Sequence, residues 1–300
     1  MTEPHEPAID AEVIGERRHL MSLAFRMLGT VAEAEDAVQE TYARWYRMSE
    51  DEREAIEAPR AWLTRVAGRV CLDVLDSARV RRERYVGPWL PEPVPSTAFR
   101  ALPPSVDPLD RVTLDDSVST ALLVVLESMT PAERVSFVLH DVFAVPFDEI
   151  AGIVGRSAAA CRQLATSARR RVSENRSRLV SRGEHDEVVR AFSAAAQSGD
   201  LAQLVAVLDP NVVLRSDGGG YVSAARKPVF GSDRVARFLF GTLAKSPTTE
   251  IAEIETGDGL GFALWDGGRI IGVVTVIVVA GVVSDLWMMV NPDKLSMWNS

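Results

Sequence analysis

TPAERVSFVLHDVFAVPFDEIAGIVGRSAAACRQLATSARRR, residues 130–171, divides into three helical segments. Thr130 offers a cap, Pro131 suits the first helical position and Glu133 stands where a capping box places its acid, which predicts a helix from there to about Phe143. A second helix is expected over Phe147–Val154, stopped by Gly155, and Ser157 caps a third that runs to Arg171 or beyond. Two short helices, a glycine turn and a basic third element make a helix-turn-helix. In the third helix Arg162, Gln163 and Thr166 share one face, while Cys161, Ala165 and Ala168 form a small apolar face suited to packing. Arginine pairs with guanine and glutamine with adenine in the major groove, so the first set is a candidate base-reading face. Arg169, Arg170 and Arg171 suit phosphate contacts that position without reading sequence. The plainer alternative is a solvated basic helix end favoured by the helix dipole.

Upstream, residues 9–48 read as helices. Leu20, Leu23, Ala24, Met27 and Leu28 recur at helical spacing, Gly29-Thr30 interrupts, and a second helix is expected from about Ala32 to Arg47. Ser49 to Ala58 reads as an acidic loop, and Pro59 opens a helix from Arg60 to about Arg84. Arg65 and Arg69 lie on one face of that helix, and Arg79, Arg81, Arg82 and Arg84 crowd its end. Such a cationic helix can hold the backbone of an open strand while a base unstacks. Trp62, Tyr42, Trp45 and Tyr46 read as core or partner contacts before base stackers. Residues 85–111 are dense in proline and form an extended linker, although Trp89 and Leu90 are unusual for a passive tether.

The net charge of −9 hides a partition. Residues 60–84 and 130–182 each carry +4, whereas 1–59, 85–129 and 183–300 carry −8, −4 and −5. Attraction to phosphate is local, since surface charge is screened beyond about 10 Å. Two basic islands of this kind can bind DNA inside an acidic chain. Cys71 and Cys161 have no metal or disulfide spacing, and the histidines are scattered, so no cofactor and no metal are expected. The apolar run Ile270–Val283 is too short for a membrane span and reads as two buried strands turning at Ala280-Gly281. A soluble, cytoplasmic chain with no membrane partner is expected.

From Glu184 the character changes. Helices over Asp186–Ala196 and Leu201–Leu208 precede strand-like segments at Val212–Arg215, Gly261–Trp265, Ile270–Val279 and Val282–Val290. We expect an α+β domain, an antiparallel curved sheet with helices on one face.

MLGTVAEAEDAVQETYARWY (27–46) with PRAWLTRVAGRVCLDVLDSARVRRERY (59–85) resembles regions 2.1 to 2.4 of RNA polymerase sigma factors, and residues 126–172 resemble region 4. The order and the missing region 3 domain resemble the extracytoplasmic-function group. WLPEP (Trp89, Leu90, Pro91, Glu92, Pro93), DGGG (Asp217, Gly218, Gly219, Gly220) and NPDKL (Asn291, Pro292, Asp293, Lys294, Leu295) resemble the subgroup with a C-terminal SnoaL-like domain. The implied domains are region 2 (9–84), the linker (85–111), a region 4 helix-turn-helix (112–182) and an NTF2/SnoaL-like cone (184–300). The resemblance implies that Asp36, Gln39 and Glu40 dock on the β′ subunit of core RNA polymerase, which also offers its β subunit. It implies that Arg65 and Arg69, with Arg79, Arg81 and Arg82, meet the −10 promoter element. Arg162, Gln163 and Thr166, with Arg169 and Arg170, meet the −35 element. The acidic loop at Glu50–Glu57 departs from a strand-binding loop.

Fold analogy does not confer catalysis. Asp217, Asp266, Asp285 and His185 show no acid/base pairing in the sequence, so the C-terminal domain reads as regulatory rather than enzymatic. Its glycine loop and NPDKL segment are expected to meet the sigma domains or the linker. The alternatives are a ligand-responsive helix-turn-helix repressor and a SnoaL-type cyclase or isomerase; residues 20–84 have no use in a repressor.

Overall fold

The computed structural model describes residues 13–82, 85–96, 98, 119–176 and 180–299, without the side chains of 78–82 and 176. In chain order the helices are α1 (Arg17–Leu28), α2 (Val31–Tyr46), α3 (Glu50–Glu54), α4 (Pro59–Arg82), α5 (Thr120–Glu127), α6 (Pro131–Phe137), α7 (Phe147–Val154), α8 (Ala158–Arg176), α9 (Arg182–Ser198), α10 (Leu201–Ala206) and α11 (Ser232–Lys245). The strands are β1 (Leu208–Asp217), β2 (Val229–Phe230), β3 (Glu250–Thr256), β4 (Gly259–Asp266), β5 (Arg269–Val279) and β6 (Val282–Met289). The described residues fall into two compact units. The first draws on Met1–Val80 and Leu126–Arg171, the second on Arg81–Arg100, Leu114–Val125 and Val172–Ser300.

In the first unit, Leu20, Leu23, Phe25, Met27, Leu28, Trp45 and Leu63 are fully buried at the interior of α1, α2 and α4. Arg134 of α6, almost wholly buried, donates to Met27 O at 2.8 Å and to Glu127 at 2.6 Å. A buried guanidinium is tolerable only when bonded in this way. The segment 49–58, expected to be loop, contains α3, because Ser49 and Glu52 form a capping box. The helix expected to run from Thr130 to Phe143 instead widens after Phe137 into a π turn over Val138–Val142. That turn lets His140 stack on Phe147 at 3.9 Å and its Nδ1 meet Val145 O at 3.0 Å.

The second unit carries a six-stranded sheet in the order β2-β1-β6-β5-β4-β3. With helices packed on one of its faces it is an α+β arrangement, as expected. The expected all-antiparallel run is corrected at one place: β1 and β6 are parallel, Leu214 opposite Leu286. The parallel pairing is possible because α11 and the strands β2 to β5 intervene between them, long enough to carry the chain back to the same end. β5 is buried on both faces. Val274, Val276 and Val278 meet α9, α10 and α11 through Phe192, Leu204 and Val235. Val273 and Ile277 on the reverse face meet Leu90, Ala121, Trp287 and Leu295. Two buried faces account for an unbroken apolar run. The helix expected from Asp186 begins one turn earlier, capped by Ser181, and that expected to reach Leu208 ends at Ala206, with Leu208 entering β1. α11, β2 and β3 lie in sequence where no element was expected.

Candidate nucleic-acid interface and linker seat

Gly155, at φ +69°, ends α7, and Ser157 Oγ accepts the Ala160 N–H at 3.2 Å to start α8. Cys161, Ala165 and Ala168 are completely buried, which turns Arg162, Gln163, Thr166 and Arg170 outward. Arg162 lies over the Phe147 ring at 5.1 Å from its centre, and Thr166 donates back to Arg162 O at 2.8 Å. Arg169 is bonded to Asp141 at 2.5 Å, and Arg171 faces Glu133 at 3.7 Å. The outer face of α8 is thus an exposed polar strip bordered by braced arginines.

On α4 the exposed Arg65 and Arg69 point toward α7. Arg69 donates to Ile153 O at 3.1 Å and pairs with Asp73 at 3.2 Å, and Arg65 stands 3.9 Å from Glu149. Between them Gly68 is buried against α7, where a Cβ would meet Leu139 at 3.2 Å and Ile153 at 3.6 Å. The side chains of Arg79, Arg81 and Arg82 lie outside the described residues. Trp62 is half-buried, edge-on to the fully buried Trp45 at 5.2 Å. On α2, Asp36 and Gln39 are exposed, and Glu40 pairs with Arg44 at 2.9 Å. The hydrogen bond from Arg44 holds the Glu40 carboxyl below its ordinary range.

The linker is seated in the second unit. Asp217, fully buried, accepts from four donors: Tyr85 Oη at 2.5 Å, Leu90 N–H at 2.9 Å, Gly219 N–H at 3.0 Å and Lys294 Nζ at 2.8 Å. Lys294 also donates to Leu90 O at 2.6 Å, Asn291 Nδ2 donates to Tyr85 Oη at 2.9 Å, and Trp298 Nε1 donates to Pro93 O at 2.8 Å. Burial, helped by the neighbouring Asp217 carboxylate, pushes the Tyr85 hydroxyl above its ordinary value. Leu90, Pro91, Glu92, Pro93 and Val94 are all buried. Gly219, at φ +62°, lies so close to Asn291 that a Cβ would sit 2.6 Å from its carboxamide. Gly218 is buried, Gly220 faces Val86, Leu295 joins the core beneath Leu90, and Pro292 and Asp293 face solvent. Tyr85, the last residue of the 59–85 stretch, and Trp298, shortly after NPDKL, are aromatic contributors to this seat that sequence reasoning did not single out.

Of the potential acid/base groups, Asp285 and His185 are held by neighbours. Asp285 pairs with Arg215 at 2.9 Å, and His185 is flanked by Val276 O and Asp186 at 3.0 Å each, while Asp266 is exposed at the end of β4, opposite Arg269. Cys71 and Cys161 are free and buried. Among the described residues no helix is long and apolar enough to cross a membrane.

Helical modules in this order are those of sigma-70 proteins: residues 14–83 match Sigma-70 region 2 and residues 119–172 match Sigma-70, region 4. The ECF RNA polymerase sigma factor SigJ of Mycobacterium tuberculosis H37Rv is 41% identical, with 93% of this chain and 91% of the relative covered. A probable ECF RNA polymerase sigma factor, SigI, of the CDC 1551 strain is 39% identical, with 97% and 96% covered. The crystal structure of M. tuberculosis SigJ superposes with a TM-score of 0.71 at 38% identity, over 96% of this chain and 98% of that one. The chain therefore belongs to the extracytoplasmic-function RNA polymerase sigma factors, the alternative sigma subunits.

Proposed function

We propose that this sigma factor directs core RNA polymerase to promoters by reading the −35 element with Arg162, Gln163 and Thr166 and the −10 element with the Arg65/Arg69 face of α4. Arg169 and Arg170 add phosphate contacts, and Asp36, Gln39 and Glu40 provide the docking face for the β′ subunit. The C-terminal domain is a non-catalytic restraint that holds the linker from Tyr85 to Pro95 and with it a closed form of the molecule.

The observation that carries the restraint is Asp217, whose carboxylate binds the linker and Lys294 together. The pairing of Arg65 and Arg69 with α7 supports the closed form, because a duplex or open strand has to displace those partners to reach them. Activation is then a population shift from the closed form to one bound by polymerase and DNA. The occupied hydrogen bonds of Asp217, Asp285 and His185 support a structural rather than an acid/base role for these groups.

Co-purification with core polymerase and promoter-specific transcription in vitro test the first part; absence of affinity for β′ overturns it. For the restraint, a chain ending after about Glu184 and the full-length Asp217→Ala variant are expected to change promoter output. Unchanged output from both rejects intramolecular control.

A further inference from the structure

The first three N–H groups of an α-helix have no partner within the helix. In α5 they are divided between a neighbour and a distant residue. Ser119 Oγ accepts from Leu122 N–H at 3.2 Å, whereas Thr120 N–H and Ala121 N–H are bound at 2.8 Å by the two carboxylate oxygens of Asp258, in the β3–β4 turn. Burial raises the Asp258 carboxyl above its ordinary value, and the two N–H bonds oppose that shift. The turn itself is built for the task. Thr256 Oγ1 donates to Gly259 O at 2.9 Å and accepts from Asp258 N–H at 3.2 Å, which aims the carboxylate. Gly259, at φ +128°, passes so close to His185 that a Cβ would stand 2.7 Å from its ring. The same turn receives the linker: Pro95 bridges Thr256, and Ser96 N–H donates to Glu255 O at 3.2 Å.

We infer that the β3–β4 turn is a second holding point of the C-terminal domain. Through Asp258 it grips the head of the helix with which region 4 begins, so that both ends of the chain from 96 to 120 are fastened to one turn. This inference rests on the restraint proposed above and adds to it a grip on region 4 that is separate from the Asp217 seat. Neighbouring residues in a strand are about 3.4 Å apart, so the two fastened ends lie within a few residue lengths of each other. The 24 residue steps from 96 to 120 can extend to about 80 Å. Regions 2 and 4 reading separate stretches of one duplex need that reach, and they obtain it only after one of the two fastenings parts.

The test compares full-length wild type, Asp258→Ala and Asp217→Ala by amide hydrogen exchange and by transcription in vitro with core polymerase. For Asp258→Ala, amides of residues 120–125 should exchange roughly fivefold to tenfold faster, the loss expected when a cap is removed. Exchange over Tyr85–Val94 should stay slow, and promoter output should shift in the same direction as in Asp217→Ala. Unchanged exchange at 120–125, or faster exchange with unchanged output, overturns the second holding point. If Asp217→Ala alone alters output, the linker restraint stands without it; if neither variant does, the restraint itself fails. Asp258→Asn, which keeps the side chain's size and one acceptor, should show a smaller change in the same direction, and it carries the test should Asp258→Ala not fold.

Discussion

Lys294 Nζ lies 2.8 Å from Asp217 Oδ2, with the two side chains 7% and 0% exposed. The same ammonium stands 4.1 Å from the centre of the Trp89 ring, and its hydrogen bond to Leu90 O ties the pair to the linker backbone. A buried ion pair is no guarantee of stability, but removing one member strands the other's charge. Lys294→Met should therefore lower the stability of the second unit by about 3 kcal/mol or more. Denaturant unfolding followed by tryptophan fluorescence measures this, and a midpoint equal to that of wild type contradicts it.

Arg69 is about half exposed where it meets Asp73, so its ion pair adds little to stability. Arg69→Ala should stay within about 1 kcal/mol of wild type on denaturation. Its output from a −10-dependent promoter should nevertheless fall strongly, while transcription from a pre-melted template of the same sequence falls less. Equal losses on both templates count against strand capture by this residue.

On α8 the roles proposed for the exposed residues can be told apart. Gln163→Ala should cost about 1–3 kcal/mol on one promoter sequence and relax the preference at one base pair. Arg170→Ala should weaken all sequences alike and reduce the slope of log affinity against log salt by about 1. Binding titrations over a set of −35 variants at several salt concentrations separate the two patterns.

His19 of α1 is half-buried against α4, with Nε2 3.1 Å from Thr64 Oγ1 and Nδ1 3.2 Å from Arg60. Burial, with Arg60 and Arg26 nearby, pulls its pKa down to about 4. The folded chain thus keeps His19 neutral where the unfolded chain protonates it. Stability is complete above the unfolded value near 6.5 and is lost as pH falls from there toward 4. By pH 5 the loss from this residue is about 2 kcal/mol. His19→Gln should flatten the slope between pH 6.5 and 5, and urea unfolding at each pH reveals whether it does.

The helix-turn-helix was legible because its signals are local. Thr130, Gly155 and Ser157 mark helix ends within a few residues, and the small apolar face of α8 has the period of a helix. α11 was not legible: it starts after Gly231 without a side-chain cap, and its phenylalanines do not announce a strand or a helix. β3, EIAEIET, alternates but leaves its glutamates and Ile251 exposed, so no apolar face stood out. The parallel pairing of β1 with β6 joins segments about 70 residues apart, as in Leu214 with Leu286, and no short-range pattern encodes it. Within the linker seat the three motifs could be found, but not the way they interlock. That depends on Tyr85 reaching Asp217, 132 residues away, and Asp258 escaped notice because the donors it serves lie 137 and 138 residues upstream.

At β3, a border strand of the sheet, Pro95 and Ser96 pair with the last rung at Thr256 and Glu255. Any state in which the linker leaves exposes that rung as well, and unpaired strand borders recruit strands from other molecules. Glu250, Glu253 and Glu255 are exposed on this edge strand, Glu255 paired with Arg182, and charged side chains on an edge strand discourage pairing with another chain. An acidic edge strand of this kind disfavours pairing with a second copy in the state that the proposed opening would produce.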